Sequence, residues 1–347
     1  MNVFSSLKAA WHVDRIRQLR DGKDIVPTHV QLIISDLCNQ DCHFCAYRMS
    51  GGFSTEKFAD ENGNRNPVRF IPTAKACEIL DDCRELGVGA IEFTGGGEPT
   101  VHPDHIEIIG HAQKLGLQTG LVTNAVRLKD RAVFRNLDWL RISLDAGTVG
   151  TYERIRVSKQ WPKVIENIRL AATFEKPYVG VGFVVTRENW SELVPFCEQM
   201  RELGVPYVRI SAMFSTDGAG YYDALLDYIG RERAKARQLE TDKFKVVDFF
   251  GNRVEDLELG KPDYKFCGEQ QFVLYIGGDQ KVYTCCTNAY TTHGEIGDLK
   301  NQRFKDWLPT HRRYDFDSRG CHHCQFNEKN RVINFMLDDN PRHVDFV

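Results

Sequence analysis

The sequence predicts an α/β protein built on a parallel sheet, on three observations. Between residues 30 and 239, apolar strand-like runs alternate with segments of helical periodicity, as in serial βα units. The residues able to carry chemistry fall directly after those runs, where parallel α/β folds bind their ligands. At 347 residues, 42% of them hydrophobic, the chain can bury one large core and a small second one. Six βα units fit an incomplete (β/α)6 barrel better than a closed eightfold one, although periodicity alone also permits a doubly wound sheet.

The strands are expected at 30–35, 90–94, 118–123, 139–144, 179–185 and 207–211. The first helix follows Pro72, with Thr73 as N-cap candidate. Ala76, Ile79, Leu80, Cys83 and Leu86 share one face, and Gly87 stops it. Further helices are expected at 103–115, 161–174 and 191–203, with a charged one at 221–239. Beyond them, 272–276, the turn Gly277-Gly278-Asp279 and 281–284 read as a β-hairpin, and 304–308 reads helical. No internal repeat or low-complexity tract interrupts this order.

The totals narrow the function classes. A net charge of −3 provides no global basic field, so nucleic acid is not indicated as a partner. Residues 1–26 hold no continuous apolar stretch of signal-peptide or membrane-span length, so no membrane association is expected. Eleven cysteines without a secretory signal point to a reducing cytoplasm and to metal ligation rather than a disulfide framework.

The sharpest motif is Cys38-Asn39-Gln40-Asp41-Cys42-His43-Phe44-Cys45, three thiols spaced C-x3-C-x2-C after the first strand. Three cysteines on one loop can hold three irons of a 4Fe–4S cluster and leave the fourth without a protein ligand. An open coordination position is what separates a catalytic metal site from a closed one. A zinc site would need a fourth ligand, for which His43 is the candidate. The motif resembles the signature loop of the radical S-adenosylmethionine (SAM) enzymes. In that family the amino and carboxylate groups of SAM occupy the open iron, and the reduced cluster cleaves SAM to a 5′-deoxyadenosyl radical.

That resemblance extends along the strand ends and decides for the partial barrel. Thr94-Gly95-Gly96-Gly97-Glu98-Pro99-Thr100 is similar to the GGE motif that holds the SAM amino group, its glycines free to adopt positive φ and approach a ligand closely. Thr123-Asn124-Ala125 and Ser143-Leu144-Asp145-Ala146 look like the T-N-G and S-L-D-G stretches, which reach the ribose or carboxylate of SAM. Ala125 and Ala146 stand where glycine is usual. Phe44 matches the aromatic beside the adenine. Arg154 and Arg156 both fall where relatives carry an arginine facing the SAM carboxylate. Val157 replaces the usual glycine there, so either arginine qualifies.

Five more cysteines, Cys267, Cys285, Cys286, Cys321 and Cys324, lie in the C-terminal part. The pattern C-x17-C followed by Cys321-His322-His323-Cys324 resembles the Twitch domain, the shortened form of the SPASM domain, as does Gly297-Asp298-Leu299 with Phe304 and Trp307. The resemblance implies that Cys267, Cys285, Cys321 and Cys324 ligate an auxiliary 4Fe–4S cluster, closed by four thiolates and suited to electron transfer. Cys286 can exchange roles with Cys285 on sequence grounds. Zinc is the rival, with His322 or His323 replacing a thiol. Cys77, Cys83 and Cys197 read as small apolar packing residues, and His102, His105 and His111 as surface groups.

The expected organisation is an N-terminal extension at 1–29, a radical SAM barrel at 30–240, a linker at 241–266 and a Twitch-type domain with tail at 267–347. The implied function is hydrogen-atom abstraction from a small polar molecule or side chain. Oxidation or bond formation would follow, with the substrate electron passing to the auxiliary cluster and a flavodoxin or ferredoxin as external reductant. Redox-neutral isomerisation or epimerisation and peptide or nucleotide modification are alternatives. The 37 residues before Cys38 are too few for a peptide-recognition domain. A non-catalytic electron carrier is the alternative of another class. The polar insertion 49–70 reads as a substrate-facing lid, and 213–222, with Asp217, Tyr221 and Tyr222, as a further substrate wall.

Overall fold

The computed structural model describes residues 5–49, 51–52, 56–128 and 130–342. Its strands are β1 (His29–Leu32), β2 (Ala90–Phe93), β3 (Gln118–Thr123), β4 (Trp139–Ser143), β5 (Tyr178–Val185), β6 (Tyr207–Ala212), β7 (Lys245–Asp248), β8 (Val273–Ile276), β9 (Lys281–Tyr283) and β10 (Glu295–Asp298). The helices are α1 (Val13–Arg20), α2 (Thr73–Leu86), α3 (His105–Lys114), α4 (Arg131–Arg135), α5 (Val149–Arg156), α6 (Trp161–Ala171), α7 (Leu193–Glu202), α8 (Leu226–Arg237), α9 (Phe250–Leu259), α10 (Glu269–Phe272), α11 (Phe304–Trp307) and α12 (Asn327–Leu337).

All ten strands belong to one open sheet in the order β10-β9-β8-β1-β2-β3-β4-β5-β6-β7. Neighbours from β1 to β7 pair in parallel, the arrangement of a partial barrel whose edges do not meet. β7 was not expected, because 245–248 is four residues long with only one fully buried position. β8, expected only as a hairpin arm, also pairs in parallel with β1, from His29↔Val273 to Leu32↔Ile276. β9 then turns back, with Tyr283 opposite Tyr275. The chain after β9, including Cys285 and Cys286, therefore returns toward the N-terminal ends of β1 and β8.

Local chemistry explains the helix ends. Thr73 is the first helical residue of α2 rather than its cap, with Pro72 at the N-cap position. The Thr73 hydroxyl instead donates to Asp104 at 2.5 Å. Gly87, at φ 88°, closes the same helix. α8 starts at Leu226 because 218–222 forms a tight 3-10 turn first.

The barrel strands alternate between two environments. Val30, Leu32, Ile91, Phe93, Leu140 and Ile142 are buried against the helices. Gln31, Glu92, Arg141 and Ser143 between them face an internal cavity. Parallel strands covered on both faces normally read as continuous apolar runs. Here the inner face is polar, which marks it as a binding surface.

Candidate active site at the strand ends

Cys38, Cys42 and Cys45 follow β1 and line a cavity of about 1510 Å³ that runs through the barrel. The loop carrying them is held from several sides. Asn66 grips the Cys38 backbone, accepting from its N–H at 2.9 Å and donating to its carbonyl at 2.9 Å. Arg48 donates to the Gln40 carbonyl at 2.5 Å and to Asp41 at 2.9 Å. The Glu98 N–H donates to the Leu37 carbonyl at 2.9 Å, joining the glycine loop to the cysteine loop. His43 is exposed and does not line the cavity.

The three thiols suit iron. Burial pushes Cys38 up to about 12 and raises Cys42, so neither forms a thiolate readily without a compensating charge. Metal coordination supplies that charge and deprotonates a ligating thiol outright. The Arg156 guanidinium lies 3.5 Å from the Cys42 sulfur, a second favourable charge. Among the described residues, no three His, Cys, Asp or Glu side chains converge on a point fit for a single metal ion. A cluster does not require that, because each cysteine binds a different iron.

Arg156 and Arg154 separate cleanly. Arg156 ends α5 buried, donating to Asp145, to Gln40 at 3.4 Å and toward Cys42, with its guanidinium 5.4 Å from the Phe44 ring centre. Arg154 points to the surface beside Glu188 and does not line the cavity. Asp145 is buried, and burial raises its carboxyl although Arg156 opposes the shift. Its other oxygen accepts from the Val184 N–H at 2.7 Å. Phe44, Gly95, Gly96, Gly97, Glu98, Asn124, Ser143, Asp145 and Arg156 all line the same cavity.

Two expectations about the glycine loop change. None of Gly95, Gly96 and Gly97 has positive φ. A Cβ on Gly96 would lie 2.4 Å from the Phe58 ring, and one on Gly97 2.4 Å from the Asp36 backbone. Close approach by the protein itself thus requires these glycines on one side, while the cavity lies on the other. The Glu98 carboxylate is fully engaged: it accepts from Thr100 N–H and hydroxyl, from the Thr123 hydroxyl at 2.6 Å and from Asn124 N–H at 2.7 Å. It braces the ends of β2 and β3 against each other. Ala125 and Asp145 take left-handed φ near 60°, so in the second motif Asp145, not Ala146, makes the turn.

The insertion after the cysteines is a brace rather than a lid. None of its described residues lines the cavity. Phe58 is fully buried against Tyr290 and Tyr47, Lys57 pairs with Glu295 at 2.6 Å, and Arg69 with Asp36 at 2.8 Å. Ser50, Phe53, Ser54 and Thr55 lie outside the described residues. In the segment 213–222, Met213 and Phe214 line the cavity, but Asp217, Tyr221 and Tyr222 do not. The Tyr222 hydroxyl instead donates to the Val185 carbonyl at 2.7 Å. His102 is buried, not a surface group, with Nε2 2.9 Å from the Ile71 carbonyl.

The second cysteine set forms its own pocket. Cys267, Cys285, Cys321 and Cys324 line it together, and Cys286 does not. Their sulfurs meet polar partners: Asn288 donates to Cys321 at 2.8 Å, Phe326 N–H to Cys324 at 3.3 Å, and the Thr287 hydroxyl lies 2.9 Å from Cys285. Such contacts orient and stabilise thiolate ligands. Cys285 and Cys286 also line the large cavity. His322 is mostly exposed, whereas burial lowers His323 to about 4. Cys83 and Cys197 are buried in the apolar core. The residues not anticipated are Asn66, hidden in a polar loop, and the inward-facing Gln31, Glu92, Arg141 and Arg209, which alternation within the strands could have revealed.

An open parallel sheet with three thiols and an arginine–aspartate pair at its strand ends is the arrangement the radical SAM resemblance leads one to expect. A profile of the radical SAM superfamily matches residues 32–200, and the chain belongs to that superfamily. It is therefore an enzyme whose chemistry uses SAM and a 4Fe–4S cluster, and the non-catalytic carrier reading is set aside. The chain is 29% identical over 185 residues to a probable GTP 3′,8-cyclase of Saccharolobus solfataricus, covering 52% of this chain and 55% of that one. It is 27% identical over 195 residues to a tungsten-containing aldehyde ferredoxin oxidoreductase cofactor-modifying protein of Pyrococcus furiosus, covering 53% and 51%. The chain thus spans about half the length of the curated relatives it matches. Its fold is similar to Streptococcus suis SuiB bound to precursor peptide SuiA (TM-score 0.62, 14% identity, 96% of this chain and 77% of that one). It is also similar to anSMEcpe with bound AdoMet (TM-score 0.57, 14% identity, 90% and 97%). Among the described residues no helix is long and apolar enough to cross a membrane.

Proposed function

We propose that this enzyme abstracts a hydrogen atom from a small polar substrate, or from a side chain, held in the barrel, and that a second 4Fe–4S cluster on Cys267, Cys285, Cys321 and Cys324 accepts the substrate electron. When bound, the first cluster supplies the electron that cleaves SAM to a 5′-deoxyadenosyl radical. The chain's own residues do the rest. Cys38, Cys42 and Cys45 hold that cluster, Arg156 and Asp145 present a fixed charge pair to SAM, and Phe44 offers a ring face for its adenine. The polar inner faces of β1, β2, β4 and β6 receive the substrate.

The single observation that carries this reading is that one cavity is lined both by Cys38, Cys42 and Cys45 and by Cys285. A substrate between them has an electron acceptor on one side and the SAM site on the other. We place an N-terminal extension at 1–29, a barrel at 30–240 and a Twitch-type domain with tail at 267–347, with 241–266 not a linker but a continuation of the barrel through β7 and α9. We further place the protein in the cytoplasm, with a flavodoxin or ferredoxin as reductant. Iron and zinc per chain after anaerobic reconstitution test the proposal. About eight irons, falling to about four in Cys38→Ala/Cys42→Ala/Cys45→Ala, support two cubane clusters. About four falling to none, with one zinc retained, overturns the second cluster.

A redox-neutral outcome is the second reading, favoured by Cys286, whose residue lines the cavity and not the four-cysteine pocket. There the Cys286 S–H would return a hydrogen atom to the substrate carbon radical. One electron from the external reductant and one proton from solvent would then restore the thiol. Deuterium from solvent in the product would select this reading, and its absence the oxidative one.

A further inference from the structure

Two cations stand inside the barrel without a direct ion pair, Glu92 and Asp145 acting on them only at longer range. Arg141 on β4 and Arg209 on β6 line the cavity, and among the described residues neither forms an ion pair or a side-chain hydrogen bond. Each lies against an aromatic ring, Arg141 5.4 Å from the Trp139 ring centre and Arg209 5.1 Å from that of Phe249. Other arginines drawn into the protein are all answered: Arg156 by Asp145, Arg69 by Asp36, Arg233 by Asp248, and Arg313 by the carbonyls of Ile25 and Gln270. Glu92, the acid on the opposite strands, is occupied by His29 and Gln31 at 3.5 Å each. Burial, with Arg141 and Arg253 close by, pushes Arg209 well below the ordinary arginine range, although Tyr207 and Glu92 oppose the shift.

A charge withdrawn from water without a direct partner, as Arg209 is, is costly to the fold, so its presence beside Arg141 calls for a partner that arrives later. The strand register leaves room for one. Gly180 stands opposite Arg141, and Gly182 stands between Ser143 and Arg209. The Cβ that Gly182 lacks would sit 4.0 Å from Arg141 Cδ and touch nothing closer than 3.7 Å. The inner surface between the two arginines is thus bare backbone at Gly182, whereas the Tyr207 ring covers Gly180. Arginine forks match carboxylate and phosphate oxygens in pairs.

We propose that Arg141 and Arg209 form an oxyanion subsite that receives a carboxylate or phosphate of the substrate. The assignment rests on the SAM reading only in taking the barrel cavity as the substrate's.

The test uses reconstituted enzyme saturated with SAM, titrated calorimetrically with inorganic phosphate and, separately, with succinate. One saturable site is expected, weakened at least tenfold in Arg141→Met and in Arg209→Met and unchanged in Arg231→Met on the surface. Tighter phosphate identifies a phosphorylated substrate, and tighter succinate a carboxylate. Gly182→Val, which fills the bare surface and keeps both charges, should weaken binding as well. Thermal midpoints separate roles: removing an unpaired cation leaves or raises the midpoint, whereas loss of a structural arginine lowers it. The proposal is overturned if neither probe saturates, if binding survives both arginine substitutions, or if the probe binds only when SAM is absent. Substrate-free cleavage of SAM to 5′-deoxyadenosine, followed in the same samples, tests the SAM reading independently. Its persistence beside absent anion binding would sink only the subsite.

Discussion

Asn66 holds Cys38 by both ends of its peptide, with N–H···Oδ1 and Nδ2–H···O contacts of 2.9 Å each. A residue 28 positions away in a polar excursion thereby fixes the first thiol of the cysteine loop. Asn66→Ala removes both bonds and leaves partly buried backbone groups unpaired, at a cost of about 1–3 kcal/mol for each unsatisfied group. Iron retained by the first site after desalting should fall at least severalfold. Asn66→Asp, which keeps the acceptor and loses the donor, should fall between. Equal retention in all three proteins would show that the clamp does not set loop order.

The arginine pair makes a contrasting test. Breaking a buried pair by removing one partner costs about 3–5 kcal/mol because the other charge is stranded. Arg156→Met should therefore strand Asp145 and weaken SAM binding at least a hundredfold, whereas Arg154→Met should stay within twofold. Equilibrium dialysis with labelled SAM reads both. Similar effects from the two substitutions would mean that the burial difference carries no functional weight.

The cysteine set invites a parallel comparison. Only Cys285 shares the pocket with Cys267, Cys321 and Cys324. Cys285→Ala should lower iron by about four per chain, one cubane's content, and Cys286→Ala should leave it unchanged. Iron analysis decides, and loss in the Cys286 variant alone would exchange the two assignments.

How much of this was legible in the sequence depends on how local each signal is. The first six strands announced themselves as apolar runs, and the cysteine loop by spacing alone. β7 did not, being four residues with a single fully buried position, and the parallel pairing of β8 with β1 joins residues more than two hundred positions apart. Choosing between Arg154 and Arg156 was out of reach because two residues two apart leave a helix in opposite directions. The insertion looked like a lid because it is polar. Much of that polarity satisfies its own backbone, as when Asp60 accepts from the N–H groups of Asn62 and Asn64 at 3.0 and 2.8 Å. The inner arginines were masked by the apolar residues that alternate with them.

Val157 ends α5 at φ 50° and ψ 51°, a left-handed position taken here by a β-branched residue. That conformation costs an L residue about 1–2 kcal/mol, and glycine returns part of the gain through chain entropy. Val157→Gly should therefore raise stability by about 0.5–1 kcal/mol. An upward shift of the urea midpoint would show it. A downward shift would mean that the half-exposed valine side chain contributes more through packing than its backbone costs.

His102 gives the enzyme an acid-sensitive joint beside the glycine loop. Its Nδ1 accepts from the Asp104 N–H at 3.1 Å, so Nε2, 2.9 Å from the Ile71 carbonyl, carries the proton of a neutral ring. Burial lowers its affinity for a second proton below the ordinary 6.5. Between the lowered folded value and 6.5, the unfolded chain binds more protons than the folded one. Stability from this residue is thus fully present above pH 6.5 and is lost as the pH falls through the folded value. His102→Gln can still donate to Ile71 and does not titrate. Urea midpoints at pH 7.5 and 5.5 should drop further for the wild type than for the variant, although the variant starts lower for want of the Asp104 contact. Equal drops in the two proteins would place the acid sensitivity elsewhere and leave His102 a packing residue.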